Sequence, residues 1–286
     1  MKTLRALCEI TKLPITALST FSAATGYVVM RRELDPGLAT VCIGVLLLAM
    51  GACAMNQVQD RRIDGLMERT RHRPIPSGAI RPAAAVMIAV CLVLIGFLVL
   101  WLVHSLTAAL IGMLAAAWYN GVYTYLKRVS AFAVVPGALI GALPPAIGWT
   151  AAGGSLTDPR VMALCFLFFI WQVPHFWLLL FAFGGDYANA GLPSLTRVFS
   201  LRQLAALSFI WMLAASASTL LLPIYRLTSS AWVSFGFLIC GLWLAWAASK
   251  LLRQSRRKTG AFSPAFRTIN LYVLSVMTLL VADALL

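Results

Sequence analysis

The chain has 286 residues, of which 61% are hydrophobic and 11% charged, and its mean hydropathy is +0.87. Those values exclude a soluble domain and indicate an all-α polytopic membrane protein, because apolar runs of spanning length recur along the whole chain. Its 23 Lys and Arg against 9 Asp and Glu leave a net charge of +14, but no aromatic-rich basic module accompanies the excess, so nucleic acid is not an expected partner.

Lys2, Arg5 and Lys12 precede the first apolar run without a small-residue cleavage site, which predicts a retained first helix. Nine spans follow, over 13–30, 38–56, 83–103, 106–126, 132–152, 161–182, 203–224, 230–249 and 268–285, each close to the roughly 20 residues a bilayer requires. At the end of the second span, Asn56, Asp60 and Asp64 recur every four residues. On an α-helix that spacing makes one oxygen-rich stripe about 12 Å long. Such a stripe suits a hard cation, and Mg²⁺ held by one or two carboxylates leaves positions for phosphate oxygens, so the expectation is a Mg²⁺-diphosphate dock. The loop expected over 57–82 continues through Arg61, Arg62, Arg69, Arg71, His72 and Arg73, whose guanidinium groups pair with phosphate in a fork. The plainer reading of these arginines is a solvated helix end that obeys membrane topology.

His104 falls in the short turn between the third and fourth spans, as an interfacial residue or a contact to a cofactor. The fourth span ends in Tyr123-Thr124-Tyr125-Leu126-Lys127-Arg128, where the two cations serve either as membrane anchors or as diphosphate contacts. Pro136, Pro144, Pro145, Gly137, Gly141 and Gly148 predict a kinked fifth helix with close backbone approach. In the sixth span, Trp171-Gln172-Val173-Pro174-His175-Phe176-Trp177 carries polar groups that are costly in lipid and must face a cavity or another helix. His175 is suited to helix packing, proton donation or haem ligation. Asp186 follows in a Gly-rich loop, expected on the same side as Asp60 and Asp64, either as a turn residue or as a second metal-binding carboxylate.

With the N-terminus inside, 19 of the 23 Lys and Arg fall on the cytoplasmic side, leaving Arg31, Arg32, Arg160 and Arg226 outside. Nine spans then put the C-terminus outside. The six cysteines are scattered without a CxxC pair, so neither a disulfide framework nor a zinc site is expected. No linker or second composition interrupts the chain, and residues 1–286 read as a single intramembrane domain.

Taken together, Asn56 to Asp64, the Arg69 to Gly78 run, Tyr123 to Arg128, Gly141 to Trp149, Trp171 to Phe176 and Asp186 to Pro193 resemble the protoheme IX farnesyltransferase (heme O synthase) branch of the UbiA-type intramembrane prenyltransferases. The motifs run from about residue 10 to 200, and the last third agrees only in span count. The resemblance implies a nine-helix bundle around a central cavity in a bacterial inner membrane, binding farnesyl diphosphate through Mg²⁺ on Asn56, Asp60, Asp64 and Asp186. It implies diphosphate contacts from Arg69, Arg73, Lys127 and Arg128, aromatic walls including Tyr123, haem b as acceptor with His175 or His104 as candidate contacts, and cytochrome oxidase assembly proteins as possible neighbours. The chain departs from that pattern at Phe183-Gly184-Gly185, at Ala133, at Lys12-Leu13-Pro14 and at Ala190. The rivals are a UbiA-type enzyme acting on an aromatic, quinone-precursor or chlorin acceptor, and a transporter with a polar cavity. The second would place charges deep within spans, whereas here they gather at one surface.

Overall fold

The computed structural model describes residues 2–254 and 262–286, with side chains described for all of these except 2–4, 180–189 and 254. A short helix α1 (Lys2–Ile10) leads into α2 (Leu13–Arg31), α3 (Pro36–Leu66) and α4 (Pro82–Val103). Helix α5 (Leu106–Ala117) continues as a π turn (Trp118–Tyr123) and a last α turn, α6 (Thr124–Leu126). Next come α7 (Val134–Gly137), α8 (Leu139–Ala151), α9 (Pro159–Asn189) and α10 (Leu195–Val198). The chain closes with α11 (Leu201–Ser218), α12 (Leu221–Ile224), α13 (Ala231–Gln254) and α14 (Phe262–Leu285). Nine segments among the described residues are long and apolar enough to cross a bilayer, in the positions the hydropathy predicts.

Four helices outrun the expected spans by five residues or more, α13 and α14 by five or six and α3 and α9 by more. Helix α3 continues to Leu66 rather than stopping near 56, and α9 continues to Asn189, so the loop expected over 57–82 shrinks to 67–81 and the Gly184-Gly185 stretch is helical. Hydropathy tracks the apolar length, but a helix carries on past it when its polar side chains turn inward to partners.

Consecutive spans pack side by side, and the ring closes where α14 returns against α2 and α9. The lipid-facing side carries exposed Leu94, Ile95, Trp101, Leu102, Ile239 and Leu242. Outward apolar groups gain nothing from burial in a bilayer, so close packing and small residues hold the helices together. The most extensive contact joins α3 to α4, where a Cβ on Gly96 would lie 2.7 Å from the Gly44 carbonyl oxygen and 2.7 Å from the Leu48 nitrogen. Helix α8, despite Pro144 and Pro145 inside it, approaches α2 more closely still, since a Cβ on Gly26 would strike the Pro145 carbonyl. Neither backbone can yield. Gly96→Val is therefore expected to destabilise the bundle by about 1 to 3 kcal/mol or more through overpacking, read as a lowered thermal unfolding midpoint in detergent.

Candidate active site

The site grows from the polar end of α3, where Asn56, Asp60 and Asp64 are only 2%, 4% and 2% exposed while Arg61 and Arg62 point outward. The four-residue register therefore faces the bundle interior, and buried carboxylates there must be paired. Asp64 is held by Arg73, whose Nη1 donates to Oδ1 at 2.9 Å and Oδ2 at 2.8 Å. The turns after Met67 bring it there: Thr70 Oγ1 donates to the Asp64 carbonyl at 2.8 Å, and Gly78 supplies a left-handed residue at φ 78°. Arg69 is exposed at the edge of the same turns.

Asp60 is held from another helix. Lys127 Nζ pairs with its Oδ2, and Arg128 Nη2 donates to its Oδ1 at 3.1 Å and to the Gln59 carbonyl at 2.9 Å. These cations are placed by the π turn, in which the backbone N–H of Thr124 reaches the Tyr119 carbonyl five residues earlier. One extra residue per turn rotates the next stretch of helix by about 100°, and such turns are frequent at functional sites. Thr124 Oγ1 then accepts from Asn56 Nδ2 at 2.9 Å, the same amide that donates to Asp60 Oδ2 at 2.9 Å. Tyr119 and Tyr123 stack with centroids 6.0 Å apart, Lys127 lies 5.8 Å over the Tyr123 ring, and Phe176 of α9 meets Tyr123 at 6.5 Å.

A residue that the sequence offers only within the departing stretch Lys12-Leu13-Pro14 completes the cluster. Lys12, in the turn between α1 and α2, adopts a left-handed conformation (φ 52°, ψ 49°) that costs a non-glycine residue about 1 kcal/mol or more. Gln57 fastens this turn to α3 by donating to the Glu9 carbonyl at 2.8 Å. Lys12 Nζ donates to Asn56 Oδ1 at 2.8 Å and to the Tyr119 hydroxyl at 3.2 Å, and Tyr119 in turn donates to Asn56 Oδ1 at 3.0 Å. Burial pushes the Lys12 ammonium below the ordinary lysine value, and the nearby Arg73 and Lys127 charges push the same way. Its sequence signal is faint: one of two lysines before the first span, in a stretch that otherwise departs from the family pattern.

Lys12, Arg73, Lys127 and Arg128 set four cations against the two carboxylates of Asp60 and Asp64, an excess of two positive charges. Arg73, Lys127 and Arg128 keep 20%, 21% and 30% side-chain exposure, so they reach the surface while the carboxylates stay buried. The cluster calls for an anion. Its all-oxygen donor set, two carboxylates and the Asn56 amide oxygen, also fits a hard cation, and each oxygen already faces a positive group or a hydroxyl donor. No group of three or more His, Cys, Asp or Glu occurs among the described residues, so further ligands would be water and substrate oxygens.

Other expected site residues lie elsewhere. The Asp186 side chain lies outside the described residues, although its backbone belongs to the last turn of α9 rather than to a loop. His104 caps the other end of α4 and bonds Thr40 at 2.9 Å, which stands 20 residues, or about 30 Å of helix, from Asp60. The structure therefore does not bring His104 to the cluster. His175 does face the interior, next to Phe176, with Nδ1 2.7 Å from Asn270 Oδ1 of α14.

Against known proteins, the chain matches the UbiA prenyltransferase family over residues 13–271. A protoheme IX farnesyltransferase of Geobacter sulfurreducens is 41% identical over 213 residues, covering 74% of this chain and 78% of its own. One from Oleidesulfovibrio alaskensis is 33% identical over 282 residues, covering 99% and 97%. Among solved structures, a digeranylgeranylglyceryl phosphate synthase superposes with a TM-score of 0.77 at 18% identity, covering 100% of this chain and 99% of its own. A UbiA homologue from Archaeoglobus fulgidus, bound to GPP and Mg²⁺, gives 0.68 at 10%, covering 96% and 99%. At those identities the structures show the fold.

The depressed lysine has a pH consequence. Because its folded pKa lies below the unfolded 10.5, the unfolded chain binds more protons in the window between the two, and stability rises with pH there. The thermal midpoint of the ligand-free protein is expected to climb as pH approaches that upper value, and Lys12→Met is expected to flatten the climb in scanning calorimetry.

Proposed function

The chain belongs to the UbiA prenyltransferase family, and we propose that it moves a farnesyl group from farnesyl diphosphate to a vinyl group of haem b, with addition of water, to give haem O and diphosphate. The observation that carries the acceptor is the shared name of relatives that align over nearly the whole chain, protoheme IX farnesyltransferase at 33% identity across 99% of it. The charge cluster supports the donor half. Diphosphate oxygens meet Lys12, Arg73, Lys127 and Arg128, and its surplus of positive charge lowers the cost of the departing anion. Mg²⁺, when held by Asn56, Asp60 and Asp64, with Asp186 as a further candidate ligand, neutralises diphosphate oxygens and improves the leaving group.

The C1–O bond of the farnesyl group breaks and its electron pair leaves with diphosphate. The allylic cation is flanked by the ring faces of Tyr119, Tyr123 and Phe176, which stabilise positive charge and exclude water. The vinyl π pair of haem b then forms the new bond to C1. The carbocation this leaves on the haem side takes oxygen from water, whose proton passes to solvent. His175, one residue from Phe176, is the candidate haem contact on this side of the rings.

The protein is multi-pass and integral to the membrane. Its basic end, with the N-terminus and the site, is assigned to the cytoplasm of a bacterial inner membrane, where farnesyl diphosphate is supplied, and the whole chain serves as one catalytic domain.

Purified protein in lipid, given haem b, farnesyl diphosphate and Mg²⁺, is expected to yield a porphyrin heavier by farnesyl plus water in mass spectrometry, and chelation of the metal is expected to stop it. No such adduct, under conditions where a control enzyme makes it, would refute the assignment. Asp60→Asn and Asp64→Asn are each expected to lower turnover about 100-fold or more with haem affinity retained, and near-normal turnover in either would move the metal site elsewhere.

A further inference from the structure

The sixth span holds His175 in an unusually determined setting. Its imidazole lies between Trp171 and Phe266, with centroids at 4.9 and 5.0 Å and interplanar angles of 37° and 38°, and Phe176 closes one edge at 5.4 Å. Asn270 Nδ2 donates to the Phe266 carbonyl at 2.7 Å, and a carbonyl can only accept, so the Asn270 oxygen must be the atom facing His175 Nδ1 at 2.7 Å. An amide oxygen cannot donate. The proton therefore sits on Nδ1, and in the neutral ring Nε2 carries the lone pair. Among the described residues Nε2 has no hydrogen-bond partner, and His175 keeps partial exposure on the inner side of α9, where Gln172 crowds Gly141 of α8 and Phe176 meets Tyr123.

We propose that Asn270 is a positioning residue that fixes His175 in the Nδ1–H tautomer and presents Nε2 to the iron of the haem acceptor. The inference rests on the assignment of haem as acceptor. A histidine that binds iron through one nitrogen needs its other N–H held by an acceptor, which orients the ring and raises its basicity. Phe176, Tyr123 and Lys127 form a continuous line from this ring to Asp60, so a haem held at Nε2 lies on the same side of the bundle as the leaving diphosphate. Neither residue needs to change charge for this.

The test has two independent readouts on the full-length protein in nanodiscs. Nitrogen-15 NMR of labelled histidines, with His175→Ala to assign the signal, is expected to show a protonated Nδ1 and an unprotonated Nε2 without any haem present, and the opposite tautomer would overturn the proposal whatever the acceptor is. Titration with ferric haem b, followed by the Soret band, is expected to lose its histidine-ligand signature in His175→Ala. Asn270→Leu is expected to weaken the ligated form about 10- to 100-fold with prenyl diphosphate affinity unchanged, whereas Asn270→Asp, which keeps the acceptor oxygen, binds as tightly as wild type or more so. Equal losses in Asn270→Leu and Asn270→Asp would reduce Asn270 to a packing role. An unchanged Soret band in His175→Ala would overturn the iron contact alone, and would leave the tautomer result to stand or fall by NMR.

Discussion

The clasp on Asp60, buried on α3 and held by Lys127 and Arg128 from the end of α6, is the interaction on which the arrangement turns. Removing one side of a buried ion pair costs about 3 to 5 kcal/mol, because the stranded charge keeps its desolvation penalty. The same bonds that would position a substrate therefore also anchor helices that lipid gives little reason to associate. Arg73 does the same for Asp64 and thereby ties down the segment between α3 and α4. The cluster is a structural joint as well as a binding surface.

The opposite end of the bundle shows what charges do when no ligand is in question. Asp35 accepts from Tyr27 and Arg31 and caps α3, Asp158 pairs with Arg160 two residues on, and Asp283 accepts from the Ser229 and Ser230 amides ahead of α13. Each of these carboxylates is satisfied close to its own helix end. Among the described residues, it is at the basic end that groups distant in sequence converge with cations left over. In mid-bundle His175 and Asn270 hydrogen-bond each other through Nδ1 and Oδ1, and among the described residues they form no charged path, which argues against a transport route.

The spans were readable because lipid demands about 20 apolar residues and the chain repeats that length nine times. The ladder was readable too, since a period of four stands out on a chain so poor in acidic residues. Lys12 was not, because its importance comes from a left-handed turn and from a contact 44 residues away. Asn270 escaped notice as a lone amide in the last apolar run, although such an amide is costly there and signals a partner. The helical continuation through Gly184 and Gly185 was hidden by glycine's low helix propensity. Asp186, the other proposed metal-binding carboxylate, still rests on its motif alone.

The π turn at Trp118–Tyr123 means that the chemistry here depends on counting as much as on residue type. Lys127 and Arg128 reach Asp60 because one residue more than an α-helix needs precedes them, so a single-codon deletion anywhere in that turn would swing both cations away without altering either. Substitutions at its exposed Gly121 and Val122 alter no site contact, whereas a change of length is felt at Asp60. In an alignment of distant relatives, a one-residue gap over this stretch would carry more functional information than most of the mismatches around it.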